Sequence, residues 1–279
     1  MVTLCIRLDD IHSGTPPHLL TLLDRDVWRG RPIVLGVVPF PASGCLGEAA
    51  TRREACGHPR RSLADRGLRT YFDQQLSLGK ADIAVHGLTH ADHPTAHGPG
   101  TPELVAPSRR RVDLLLQVLR AFRDDLGTST LIPPHNFIDE TVAARCTTAG
   151  FHLSRALMNH EVQALGLDPD QPEDRAEAKR RRPCYTAGSA TVIYQTTSVS
   201  PRNMRQNTPR EIAAFVMNIA KPAGMGVITF HWWDFLHDNG TINEAFATFA
   251  SHFLDACQHL GADSFTSIAD LARTACGSR

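Results

Sequence analysis

Residues 2–10 read Val2-Thr3-Leu4-Cys5-Ile6-Arg7-Leu8-Asp9-Asp10, and this stretch decides the fold. A largely apolar, β-branched run stops abruptly at two carboxylates, the form of a buried strand ending in charge. The same form returns downstream. Residues 32–38 close on Pro39 and Pro41, residues 81–85 end at His86-Gly87, residues 129–132 stop at Pro133-Pro134, and residues 226–230 end at His231. Residues 190–196 make a further strand. Helical patterns lie between them. Val112, Leu115, Leu116, Leu119, Phe122 and Leu126 recur at helical spacing between Ser108 and Gly127. Thr208-Pro209-Arg210-Glu211 is a capping box that opens a helix over residues 209–220, and residues 241–260 form the last long one. Strands alternating with helices predict an α/β fold built on a parallel sheet, with strand C-termini gathered on one face.

The bulk composition narrows the function. Lys plus Arg (29) balances Asp plus Glu (29) in 279 residues, so no global field favours nucleic acid or an anionic membrane. The basic runs Arg109-Arg110-Arg111 and Lys179-Arg180-Arg181-Arg182 read as solvated surface. No stretch approaches the roughly 18 apolar residues of a spanning helix, and residues 1–10 lack the apolar core of a signal peptide. Seven cysteines without CxxC spacing disfavour a disulfide or zinc-ribbon framework. These features together predict a cytoplasmic chain with reduced thiols. Residues 41–69 and 161–188 break the alternation and read as loop insertions within one catalytic domain spanning residues 1–279.

Polar residues fall where the strands end. Asp9-Asp10, His86, His135-Asn136 and His231 all follow a predicted strand, so a barrel would bring them to one site. Spacing by itself is weak. A chain with 14 histidines holds about 0.7 HxxxH pairs by chance. Two are present, His86–His90 and His93–His97. The first gains weight from its strand exit, where Gly87 permits a tight turn and a following helical turn would put two imidazoles on one side. The second lies in a loop broken by Pro94 and Pro99 and reads as surface or substrate contact. Adjacent acids such as Asp9-Asp10 often only cap a helix or turn, and Asp124-Asp125 is expected to do little more than sit on a solvated helix end. Their chemical reading is a division of labour: one carboxylate joins the two imidazoles on a metal ion, the other takes a proton from the water that ion activates.

The set Leu8-Asp9-Asp10, His86-Gly87-Leu88-Thr89-His90, Pro133-Pro134-His135-Asn136 and Thr229-Phe230-His231 resembles the polysaccharide deacetylase superfamily (NodB homology domain, carbohydrate esterase family 4). The motifs span residues 8–231 in the same order. The resemblance implies a distorted (β/α) barrel, one divalent metal and hydrolysis of an N-acetyl, sometimes O-acetyl, group on a sugar. It implies Asp9 as base, Asp10, His86 and His90 as metal ligands, and His231 as the acid that protonates the leaving amine. Without it, His231 reads more readily as a partly buried structural histidine.

The third motif departs from the family pattern. An arginine that orients the base usually precedes the proline, and here the segment is Ile132-Pro133-Pro134-His135-Asn136. Arg7, adjacent in sequence to the base region, is expected to point to the other side of its strand. His135 and Asn136 are then candidates to meet substrate. Trp232 or Trp233 is a candidate pocket wall against a sugar face, with core packing the equal alternative. Asp234, or else Asp139, is the candidate partner of His231. The expected function is metal-dependent removal of an N-acyl, foremost N-acetyl, group from a small amino-sugar compound. Zinc is the first choice of ion, with iron, cobalt, nickel and manganese behind it. Rival readings are an amide or imide hydrolase acting on a non-sugar molecule, a non-heme iron oxygenase using the same His/His/Asp set, and a non-catalytic binding module.

Overall fold

A computed structural model describes residues 1–41, 65–91, 93–95 and 98–275. Its strands are β1 (Thr3–Ile11), β2 (Ile33–Val37), β3 (Ala81–His86), β4 (His93–Thr95), β5 (Gly98–Thr101), β6 (Thr130–Ile132), β7 (His152–Arg155), β8 (Cys184–Ala187), β9 (Ala190–Tyr194), β10 (Thr197–Ser198), β11 (Met225–His231) and β12 (Ser264–Phe265). Its α-helices are α1 (Pro17–Leu23), α2 (Arg66–Ser77), α3 (Arg109–Leu126), α4 (Glu140–Thr148), α5 (Asn159–Gln163), α6 (Pro172–Arg181), α7 (Pro201–Gln206), α8 (Pro209–Ala223), α9 (Glu244–His259) and α10 (Ile268–Ala275). The main sheet runs β10-β11-β1-β2-β3-β6-β7-β9-β8, with β12 also paired to β1. All its ladders are parallel except β8–β9. Among the described residues no ladder joins β10 to β8. The curled sheet is therefore a distorted (β/α) barrel rather than a closed one.

Two apolar layers hold it together. Side chains alternate along a strand, and on β1 the residues Leu4, Ile6 and Leu8 face the outer core shared with the helices. Cys5 faces inward, where it joins Val34, Ala84, Ile132, Ile193 and Val227. Ile268, Leu271 and Ala272 of α10 complete that inner cluster from the end where the strands begin. The chemistry is thus left to the opposite end, where the strands stop.

The expected strands and long helices are present with small shifts in their ends. Asn243 and Ser108 cap α9 and α3, and the Thr208–Glu211 capping box opens α8. Other expectations need correction. Residues 161–188 are not a loop insertion: they hold α6 and β8, and Glu161 itself is buried in a bidentate pair with Arg155. Residues 42–64 lie outside the described residues, whereas 66–69 already belong to α2. His97 of the second histidine pair also lies outside them. The basic runs are not uniformly solvated, since Arg111 pairs with a buried glutamate and Lys179 donates to the Thr196 carbonyl. Cys5, Cys146 and Cys257 are free, but Cys184 is disulfide-bonded, against the expectation of a wholly reduced chain. No helix among the described residues is long and apolar enough to cross a membrane.

Candidate metal centre

The site begins with an irregularity in β1. Leu8 pairs with Leu35, but Ile11 pairs with Val37, so β1 carries one residue more than β2 over this span. The extra residue makes a bulge, and Asp10 sits in it at φ 66°. Regular alternation would send Asp9 inward and Asp10 out to the helices. The bulge turns Asp10 back, so both carboxylates are buried at the same end of the barrel. Of the six described non-glycine residues with positive φ, four lie here: Asp10, His90, His135 and Asn136. Strain concentrated in this way is characteristic of functional sites.

Asp10, His86 and His90 offer ligand atoms that all lie within 4.8 Å of one another. His86 Nε2 is 2.9 Å and His90 Nε2 3.2 Å from the same oxygen, Asp10 Oδ1. The donor chemistry fits a cation. His86 Nδ1 lies 3.0 Å from the Ile132 carbonyl, which can only accept, so Nδ1 carries the hydrogen. His86 Nε2 and Asp10 Oδ1, 2.9 Å apart, then need a proton or a metal ion between them: burial opposes a charge on His86, yet Asp10 and Asp9 raise its pKa, and a cation held there would take the proton's place. Ligand bonds of about 2.0–2.1 Å in a tetrahedral shell put neighbouring ligand atoms about 3.3 Å apart, close to the separations found. Burial, with help from His86, pushes His90 down to about 4, which keeps it a neutral imidazole suited to ligation. Two indoles fix Asp10 from behind. Trp233 Nε1 donates to Oδ2 at 2.9 Å and leaves Oδ1 to the histidines, while Trp232 Nε1 donates to the Asp10 carbonyl at 2.8 Å.

The loop joining the two histidines is not the helical turn expected from the sequence. Gly87 and His90 both have positive φ, and the loop wraps a buried glutamate, Glu103. Gly87 is obligatory here, because a Cβ would lie 2.3 Å from Pro134 Cγ.

Asp9 lies inside the barrel mouth beside Arg7. Residues i and i+2 share a face of a strand, so Arg7 points the same way as Asp9, contrary to expectation. Arg7 is fully buried and grips both Asp9 oxygens, through Nε at 3.2 Å to Oδ1 and through Nη2 to Oδ2. It also donates to Ser154 Oγ at 2.9 Å and Asn136 Oδ1 at 3.1 Å. Burial alone would raise the Asp9 pKa, but the Arg7 guanidinium, with His86 and His231, outweighs it and holds the carboxyl below the usual range. Arg7, from within β1, thus stands beside Asp9, where the third motif brings no arginine. Gly36 of β2 makes the room, since a Cβ there would lie 2.8 Å from Asp9 Oδ1.

His231 stands directly opposite Asp9 in the β1–β11 register. Its ring stacks on Trp233, with centroids 4.9 Å apart. Nδ1 lies 3.6 Å from Asp234 Oδ2, an ion-pair distance longer than a hydrogen bond. Burial opposes its charge, yet Asp234, Asp10 and Asp9 together raise its pKa. Asp139 is elsewhere, capping α4 through Thr141 N. His135 is exposed at the mouth, its ring 4.6 Å from that of His90. The Asn136 amide oxygen is committed to Arg7. Trp232 is only 1% exposed, so it forms part of the floor and not a pocket wall; Trp233 is the partly exposed member of the pair. Arg7, Glu103 and Trp233's grip on Asp10 are additions that motif reading missed.

No family model matches the sequence, and no curated protein matches it. Solved structures of similar fold include a 4-alpha-glucanotransferase from Thermococcus litoralis (TM-score 0.55, 11% identity, 96% of this chain and 40% of that one). This chain thus spans well under half the length of that protein. A family 4 carbohydrate esterase from Streptomyces lividans in complex with acetate is similar at TM-score 0.43 and 12% identity, over 95% of this chain and 91% of its own. A peptidoglycan deacetylase from Bacillus subtilis is similar at TM-score 0.42 and 11% identity, over 97% and 89%. Carbohydrate esterase family 4, which the motifs resemble, is thus represented among the neighbours. At these identities the likeness concerns the fold alone.

Proposed function

We propose that this chain is a metal-dependent hydrolase that removes an N-acyl group, N-acetyl first among them, from an amino sugar or a sugar-containing small molecule. The observation that carries this reading is the pairing of two half-sites across one strand boundary. Asp10, His86 and His90 form a compact donor set, and Asp9 and His231 flank it as register partners on adjacent strands. An oxygenase needs only the first half; a hydrolase uses both.

A divalent ion held by Asp10, His86 and His90 would polarise the acyl carbonyl and make water a better nucleophile at neutral pH. The remaining work falls to the protein. Asp9, kept ionised by Arg7, accepts a proton from the attacking water. Arg7 holds the carboxylate in one orientation through its bonds to both oxygens, Ser154 and Asn136. His231, its pKa raised with Asp234 beside it, gives a proton to the departing nitrogen as the carbon–nitrogen bond breaks. Its stacking on Trp233 restrains the ring. His135, exposed beside His90, is placed to meet substrate.

The test is acid release from the metal-loaded protein offered a panel of N-acetyl sugars beside non-sugar N-acyl amides and imides. Acetate from the sugars supports the proposal in full, and turnover confined to the amides or imides replaces the substrate class. Asp9→Asn is expected to lower kcat by about 10²–10⁴-fold with the metal still bound. Near-normal turnover in that variant would show that Asp9 is not the base.

A further inference from the structure

The two histidines of the metal centre are held by different means. The His86 ring is anchored by its own bond to the Ile132 carbonyl. His90 Nδ1 is buried and has no hydrogen-bond partner among the described residues, so the ring lacks the anchor that His86 has on the side away from Asp10. Its placement then depends on the backbone, which at His90 is in the left-handed region, φ 57°. A non-glycine residue stays there only when its surroundings insist on it.

Those surroundings are one side chain. Glu103 precedes α3 and is fully buried. It accepts from three consecutive backbone N–H groups, those of Leu88 (2.9 Å), Thr89 (2.9 Å) and His90 (3.1 Å). It also accepts from the Thr89 hydroxyl at 2.9 Å and from Arg111 Nη2 at 2.5 Å. Among the described residues no ladder or helix serves these amides. A buried amide left unpaired is destabilising, so the loop closes around the carboxylate, the acceptor that serves all three amides among the described residues. Gly87 allows the approach, because a Cβ there would lie 2.5 Å from Glu103 Oε2.

We propose that Glu103 is a positioning residue for the metal, shaping residues 87–90 so that His90 is presented beside Asp10 and His86. The inference rests on the metal-site reading given under Proposed function. A carboxylate suits this place because the described groups that meet its oxygens, the N–H groups of residues 88–90, the Thr89 hydroxyl and the Arg111 guanidinium, are all donors; glutamine would set an NH2 group against an N–H.

The experiment is a zinc titration against a chromophoric chelator, using wild type, Glu103→Gln, His90→Ala and the double variant, with folding followed by circular dichroism. Outer-shell partners of ligands typically carry about 10–100-fold in metal affinity, and a loss of that size is expected for Glu103→Gln. If Glu103 acts through His90, the same substitution costs nothing further in the His90→Ala background. Wild-type affinity in Glu103→Gln, or an undiminished second loss in the double variant, overturns the inference. Should Glu103→Gln not fold, Arg111→Met removes the cation that braces Glu103; a smaller loss that also vanishes without His90 is expected, and unchanged affinity overturns the proposal. Wild-type protein that binds no zinc defeats the metal-site reading itself, a different outcome from a wild type that binds beside a variant that binds equally well.

Discussion

Arg7 and Asp9 are two charges withdrawn from water and left to each other. Removing one partner of a buried pair leaves the other uncompensated, at about 3–5 kcal/mol. For Asp9 the consequence is also chemical. Burial pushes its pKa up and Arg7 pulls it down, so in Arg7→Met the raising influence is left standing. The acidic limb of the kcat/KM–pH profile is then expected to move to higher pH. At pH values above that limb kcat should still fall about 10²-fold, because a freed carboxylate loses its alignment. A limb that stays in place would mean Asp9 is not the group titrating there. The pair was legible in the sequence: positions 7 and 9 share a strand face by the simple period of two. The expectation that Arg7 points to the other side of its strand misapplies that period, since residues two apart lie on the same side. Glu103 was not legible in this way, for its contacts with residues 88–90 join chain segments 13–15 positions apart with no periodicity to announce them.

At the scale of elements, the site depends on how β1 and β2 fit together. The bulge after Leu8 turns Asp10 inward, and β2 answers it with Gly36, the one residue able to clear Asp9. An alanine methyl there would stand 2.8 Å from Asp9 Oδ1 and 3.3 Å from Ile132 Cδ1. Both neighbours are fixed, Asp9 by Arg7 and Ile132 by the inner core. Gly36→Ala is therefore expected to cost about 1–3 kcal/mol of stability, the range for overpacking, and to lower kcat more than metal affinity. Denaturant unfolding and kinetics of the same preparation check both. A fully active, fully stable Gly36→Ala protein would mean that β2 can retreat from Asp9. The main strands were readable because their apolar runs end in polar residues. The bulge was not, since Asp9-Asp10 looks the same whether it ends a strand or interrupts one. β7 and β8 escaped for a different reason: His152-Leu153-Ser154-Arg155 and Cys184-Tyr185-Thr186-Ala187 are four residues each, too short to show a period.

Across the whole molecule, the barrel has one end plugged and one end reactive. Leu271 of α10 is 1% exposed in the inner cluster, so Leu271→Ala should cost about 2–5 kcal/mol by opening a cavity at the plugged end. Zinc affinity, set at the other end, should be unchanged. The reactive end couples to stability by a different route. Asp10 comes from β1, His86 from the end of β3 and His90 from the loop beyond it, and these groups meet only when the sheet has formed. The unfolded chain holds no such centre, so an ion that binds there stabilises the native state alone. At a free ion concentration of 100 times Kd the gain is about 2.7 kcal/mol. At about 2–4 °C per kcal/mol for a domain approaching this size, zinc should raise Tm by roughly 5–10 °C, and a chelator should reverse the rise. Asp10→Ala should abolish the response, because it deletes the one oxygen that both imidazoles face. Leu271→Ala should lower Tm yet keep the zinc-induced increment, since its cavity lies at the plugged end. An Asp10→Ala protein that still gains several degrees with zinc would place the ion elsewhere on the chain and would detach the donor cluster from the proposed chemistry.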